Sequence, residues 1–218
     1  MAYDLEEQEQ IASLKAFWNK YGNLITWVLI VAMGAYAAYN FYNYRTRTQA
    51  SEASALYDQQ QEALTVEKNN VKVQRIATDM QAKYDKSVYA QMAALAAAKS
   101  AFDAADLKTA KAQLQWVVTN GNDEYQSVAK LRLAGVLLDE KAYDEALKVL
   151  ATNFLPQFAG DVADRKGDVL VAQNKMVEAR AAYVAALAAM DKKNPGRQLV
   201  QLKLEAIGGT VADPKAAA

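Results

Sequence analysis

No charged residue interrupts the chain between Lys20 and Arg45. The hydrocarbon core of a bilayer takes about 20 mostly apolar helical residues at ~1.5 Å rise each. Leu24–Tyr42 supplies 19 such residues inside a charge-free window of 24. Leu24, Ile25, Val28, Leu29, Ile30 and Val31 each favour insertion near the membrane centre by about 0.3–0.6 kcal/mol. Half-polar rings prefer the headgroup level. Trp18, Tyr21 and Trp27 stand at one end of the run, and Tyr36, Tyr39, Phe41, Tyr42 and Tyr44 at the other. Arg45 and Arg47 then oppose further transfer. The pattern predicts a retained transmembrane helix over 24–44, anchored by Leu24, Ile25, Trp27, Val28, Leu29, Ile30 and Val31.

Two rival readings exist. Ala35-Tyr36-Ala37 has the small-x-small form of a signal-peptide cleavage site. Against it, a secretory leader begins short and positive, whereas this one begins long and acidic, and the apolar run continues past Ala37. A buried core helix is the other rival, but the run is longer and more uniformly apolar than such helices usually are. Lys15 and Lys20 balance Arg45 and Arg47, so the positive-inside rule gives a tie in charge. The free amino terminus tips it slightly toward a cytoplasmic N-terminus.

The flanks divide the rest. Residues 1–23 are acidic at the start, and Ile11, Leu14, Phe17, Trp18 and Tyr21 recur at helical spacing, the pattern of an amphipathic lead-in at the membrane surface. Residues 45–207 form the main domain, and GGTVADPKAAA at 208–218 has the composition of a disordered tail. Residues 1–44 carry a net charge of −2 and the remainder +2, with zero overall. Such a balance is no match for nucleic acid.

Neither cysteine nor histidine occurs. Disulfides, thiol catalysis, the commonest general base and the commonest transition-metal ligand are thereby excluded. There is no phosphate loop, no dinucleotide-binding glycine fingerprint and no nucleophile elbow. The expectation is a chain without cofactor, metal or small-molecule substrate, and not an enzyme. An anchored enzyme using carboxylate or lysine chemistry stays open as an alternative.

Three prolines and abundant alanine favour long helices over sheets. Breaks at KNN (68–70), NGND (120–123), Pro156 and KKNPG (192–196) cut the region into helices of about 12–18 residues. A repeat emerges when LKTA (107–110), YDEA (143–146) and MVEA (176–179) are aligned. Their alanines, Ala110, Ala146 and Ala179, lie 36 and 33 residues apart. Four residues after each stands a large residue, Leu114, Leu150 or Tyr183. Twelve before stands a small one, Ala98, Ala134 or Gly167. Small residues on two antiparallel helices let the axes approach, and the large residue one turn on fills the space between pairs. A unit of about 34 residues with this pattern looks like a tetratricopeptide repeat. The family's aromatic near the start of the first helix is absent, with Ala94, Lys130 and Ala163 in its place, and so is the closing proline. An irregular helical bundle is the alternative. Residues 52–86 read as a degenerate further unit, and RQLVQLKLEAI (197–207) as a solubilising cap. The fold expected is all-α: one transmembrane helix followed by a tetratricopeptide-like solenoid.

Helical stacks offer their first helices on a concave face. In the alignment, Met92, Leu95 and Phe102 point there from one unit, Val128, Leu131 and Leu138 from the next, and Asp161 and Asp164 from the third. The expected partner surface is apolar near the membrane and acidic farther out. Asp161, Asp164 and Asp168 form an acidic row, a poor calcium site because a straight helix cannot wrap six to eight oxygens around one ion.

An acidic start, then QIASLKAFWNKYGN, one anchor helix and tetratricopeptide-like repeats without catalytic residues: in this combination the chain resembles the ancillary SecYEG translocon subunit family of bacteria (the YfgM family). The sharpest element is Ile11, Leu14-Lys15 and Phe17-Trp18, ending at Tyr21-Gly22. The resemblance implies an inner-membrane protein with its N-terminus in the cytoplasm and its repeats in the periplasm. It implies association with the SecYEG channel and with the anchored periplasmic chaperone PpiD, and a role in passing exported chains onward. A scaffold for another cell-envelope complex is the competing function.

Overall fold

A computed structural model describes residues 2–210, with side-chain surroundings from residue 7 onward. The tail expected beyond Thr210 lies outside the described residues. Among the described residues the chain is all-helical: α1 (Ala2–Thr65), α2 (Asn70–Lys83), α3 (Val88–Asp103), α4 (Leu107–Asn120), α5 (Asp123–Asp139), α6 (Tyr143–Leu150), α7 (Ala159–Ala172), α8 (Met176–Ala189) and α9 (Gly196–Ala206), with a 3₁₀ turn at Pro156–Phe158. The chain divides into two compact units, Met1–Ser51 and Glu52–Ala218.

The first unit is helical and almost unpacked. Leu24, Trp27, Val28, Leu29, Ile30 and Val31 are more than half exposed, and Ile25 is half-buried. α1 carries an apolar window long enough to cross a membrane, none of it buried by protein. Apolar surface left against water carries a cost of about 25 cal/mol per Å². Trp18 folds its indole over Gly22, where an added Cβ would meet the ring at 3.1 Å.

The second unit is a succession of helix pairs. Helix starts are marked by side chains that accept a bond from an otherwise orphaned backbone N–H: Asn69 from Lys72, Ser87 from Tyr89, Asp106 from Thr109 and Asn122 from Tyr125. Each turn inside a pair is closed by one residue of left-handed backbone, Lys68 (φ 51°), Ala105 (59°), Lys141 (60°) or Asn174 (59°). After the first, these turns follow the 36- and 33-residue spacing of the sequence repeat. They also share hydrogen bonds: the next residue donates back to Ala101, Leu137 or Leu170 at 2.8–2.9 Å.

The pairs interlock through small residues. Ala98, Leu114, Ala134, Ala146 and Leu150 share one buried cluster with Leu133, Leu137 and Val169. Ala110 and Ala179 are fully buried. Gly167 is buried on α7 directly under Tyr183 of α8, which is 3% exposed. The part of α1 from Glu52 onward pairs with α2 in the same manner, through Ala53, Ala63, Val73, Ile76, Ala77 and Met80. There Gln60, fully buried, donates its Nε2 to the carbonyls of Val73 (3.1 Å) and Ala93 (3.0 Å), tying three helices with one amide.

α9 closes the far end. Val200 and Leu204 are buried against Tyr183, Leu187 and Met190, while Leu199 and Leu202 stay more than half exposed. Gly208, at φ +74°, and Gly209 terminate it by donating to the carbonyls of Glu205 and Leu204.

Candidate functional site

The first helices of three successive pairs, α3, α5 and α7, together with Leu114 of α4, line a groove of about 370 Å³. Ala98, Leu114 and Val136 form its apolar floor, and Lys99, Phe102, Arg132, Gly135, Asp139 and Arg165 its walls. Gly135 keeps the α5 wall low. A Cβ built there meets only the Arg165 guanidinium, at 3.7–4.0 Å.

Three cations and one carboxylate are among the residues that line this groove. Lys99 Nζ lies 2.6 Å from Asp103 one turn on, with both side chains more than half exposed. Arg165 Nη1 reaches Asp168 only at 3.5 Å. Arg132 takes part in none of the ion pairs found among the described residues.

The residues expected to meet a partner are scattered. Phe102 lines the groove and is 40% exposed. Leu95 is buried in the main core cluster. Val128, Leu131 and Leu138 are half-buried and pack against that same cluster, and Met92 is half-buried. Large apolar side chains on these helices turn toward the neighbouring pair, where burial is worth most. The long charged side chains take the next position round and face the groove. A signal for this face did exist in the sequence: Arg132 and Arg165 are 33 residues apart, the repeat spacing itself.

The acidic row has a different occupation. Lys203 of α9 places its Nζ 2.9 Å from Asp164 and 2.8 Å from Asp168. Tyr183 donates its hydroxyl to Asp168 at 2.9 Å. Asp161 alone of the three is exposed. The row therefore fastens the terminal helix to α7. Burial pushes the Asp164 carboxyl above its ordinary range, against the Lys203 ammonium bonded to it, and nearby Asp168 pushes the same way. Burial, with Asp168 beside it, also raises the Tyr183 hydroxyl far above the usual phenol value. The signs follow from linkage. The Asp164 contribution is most favourable below its unfolded value of 3.8 and declines as pH rises through the raised folded value. The Tyr183 contribution is fully present below pH 10.0 and is lost as pH rises through its folded value.

The two carboxylates thus differ in importance. Asp168→Ala strands the Tyr183 hydroxyl in a buried site and is expected to cost about 2 kcal/mol. Asp164→Ala leaves Lys203 its second partner and removes an anion held at a penalty, so a change of under about 1 kcal/mol is expected. Urea titration of both variants checks the ranking. Equal losses would place the cap's attachment elsewhere.

Among the described residues no cluster of three His, Cys, Asp or Glu side chains could hold a metal ion. What the site presents is contact surface with fixed charges.

The comparisons agree with such a scaffold. A family model described as a tetratricopeptide repeat-like domain matches residues 15–209. A protein of Neisseria gonorrhoeae named ancillary SecYEG translocon subunit is 36% identical over 95% of this chain and 100% of its own length. Proteins of the same name from Escherichia coli (31% identical, 82% of this chain, 86% of the relative) and Haemophilus influenzae (30%, 83% and 91%) are also similar. No solved structure gives a significant match.

Proposed function

The chain belongs to a tetratricopeptide repeat-like family and is similar to proteins named ancillary SecYEG translocon subunit, and from that premise we propose that it is a single-pass inner-membrane adaptor of the SecYEG translocon. The family is a non-enzymatic one, and the chain is not an enzyme. The observation that carries the proposal is likeness along the whole relative, 100% of its length, together with an apolar helix whose membrane-length window is unburied among the described residues.

In this reading residues 24–44 hold the chain in the bilayer, 1–23 lie on the cytoplasmic side, and 45–207 form the periplasmic stack. Ala98, Ala110, Leu114, Ala134, Ala146, Leu150, Gly167, Ala179 and Tyr183 serve as the packing residues of its repeats. The mechanism is tethering. Confinement to the membrane plane raises the effective concentration of the stack beside a membrane partner, without any new contact. The stack then offers surface to a PpiD-like anchored chaperone and passes exported chains toward it.

Gentle solubilisation followed by affinity purification of the full chain tests this. Channel subunits are expected to co-purify, with a PpiD-like chaperone among them. Recovery of a different envelope complex without channel subunits would overturn the assignment. Protease added to intact spheroplasts reads the orientation: the repeats are expected to be digested. Resistance until the bilayer is opened would reverse it.

A further inference from the structure

We infer that the outer face of α8 pairs with the α8 of a second copy of this chain, the two helices running antiparallel and meeting along Val177, Ala181, Val184 and Ala188. This goes beyond association with the translocon, since it assigns a contact of the chain with itself, on a helix that does not line the groove.

The first argument is where the apolar surface lies. α8 turns Ala179, Ala182, Tyr183, Ala186 and Leu187 into the stack. Its other side exposes Val177 (73%) and Val184 (49%) with Ala181, Ala185 and Ala188, and Glu178 is the one charged residue among its exposed positions. The earlier pairs do not share this face. Counted from Ala110, Ala146 and Ala179, Val177 stands where α4 has Lys108 and α6 has Asp144, and Val184 where α4 has Gln115. A second helix of the stack therefore has no general need to be apolar outside. Apolar surface gathered on one face in this way marks a contact.

The second argument is self-complementarity. The seam spaces its residues by four, three and four, the heptad rhythm that keeps one stripe of a helix facing another helix. That spacing reads the same in both directions. An antiparallel copy therefore sets valine against alanine in every layer: Val177 on Ala188, Ala181 on Val184, and the reverse. Each alanine makes room for the valine opposite, which suits axes at about 8 Å, the close end of the range for packed helices. A parallel pair would oppose valine to valine and alanine to alanine, and would lay Glu178 beside its own copy. The antiparallel pair instead brings Glu178 toward the end of the second helix where Lys192 and Lys193 follow. Both lysines are exposed and take part in none of the ion pairs found among the described residues. A two-fold contact of one patch with itself is the commonest form of homo-oligomer.

Size sets the strength. The seam runs along about 17 Å of helix, too little for the ~800 Å² per partner of a standard interface. Free molecules would pair weakly. Confinement in the membrane plane supplies the effective concentration that the contact lacks, and in this respect the pairing rests on the anchored reading above.

The chain contains no cysteine, so an introduced thiol reports alone. Full chain carrying Ala181→Cys is treated in native membranes with a short bismaleimide. A product of twice 23.9 kDa is expected, at least about 5-fold more abundant than from Ala112→Cys, the exposed alanine at the same place on α4. Val184→Glu added to Ala181→Cys should remove that product at an unchanged thermal midpoint, since the position is half exposed. No excess over Ala112→Cys, or a product that survives Val184→Glu, would overturn the inference. So would a product of another mass, which gives the face to a different protein, or one formed only after truncation at Thr210, which gives it to the chain's own tail. Channel subunits are scored separately by co-purification. Their absence removes the adaptor reading and leaves the cross-link standing, whereas a missing cross-link with channel subunits present removes the pairing alone.

Discussion

Leu29→Arg combined with Ile30→Arg releases the chain from the membrane fraction. The expectation rests on the sizes of two opposing quantities. Six aliphatic residues of the apolar run together favour insertion by roughly 2–4 kcal/mol, at 0.3–0.6 each. Two arginines at mid-membrane oppose it by about 5–7 kcal/mol, at 2.5–3.5 each. The sign of the balance therefore reverses. Leu29 and Ile30 are both more than half exposed, so no contact within the chain offsets the change. Carbonate extraction reads the outcome: wild type should stay in the pellet and the double variant should move to the supernatant or be degraded. Leu29→Ala with Ile30→Ala should remain in the pellet, which separates charge from lost bulk. A double-arginine chain that resists carbonate would show that something other than lipid retains it.

Gly167→Val unfolds the C-terminal repeat at a cost of about 3 kcal/mol. Even a single added Cβ would stand 2.4 Å from Tyr183 Cε1 and 2.6 Å from its Cδ1. The ring has nowhere to go. It is 3% exposed, it packs on Leu187, Met190, Val200 and Leu204, and its hydroxyl is fixed to Asp168. A contrast lies about two turns earlier. A Cβ at Gly160 would meet Met190 Cγ at 2.5 Å, but that atom belongs to a flexible side chain that can swing aside. Gly160→Ala should thus be the milder change despite a similar distance. For a unit of this size the Gly167→Val loss corresponds to a fall of roughly 6–12 °C in thermal midpoint. Adding Tyr183→Ala should recover part of it, so that the double variant costs less than the sum of the single ones. Strict additivity would mean that the glycine is needed for some reason other than this ring.

Much of the fold was legible because it rests on periodicities that need no partner to be seen. Alanine content and scarce proline spoke for helix. Small and large residues at 36 and 33 residues marked the pairs, and the left-handed turns at Ala105, Lys141 and Asn174 keep that same spacing. The absence of histidine and cysteine bounds the chemistry from the sequence alone. The groove was less legible, for a geometric reason. On a helix, positions one residue apart differ by about 100° in direction, so a small error in phase exchanges the core for the surface. Leu131 and Arg132 are such a pair: the leucine packs on the core and the arginine lines the groove. The acidic row was legible as a row but not as a fastening. Its partner, Lys203, lies 39 residues beyond Asp164 on the terminal helix, a contact that only packing brings about.

The left-handed turns have a further consequence. Lysine, alanine, lysine and asparagine occupy Lys68, Ala105, Lys141 and Asn174, where glycine would be at ease. For the alanine and the lysines, a side chain in that conformation is disfavoured by about 1–2 kcal/mol, less so for asparagine. The corners of the stack therefore carry a small standing strain at regular intervals, independent of every packed surface. Resistance to heat in this protein is accordingly set below what its cores alone would support, and its bends are where that difference resides.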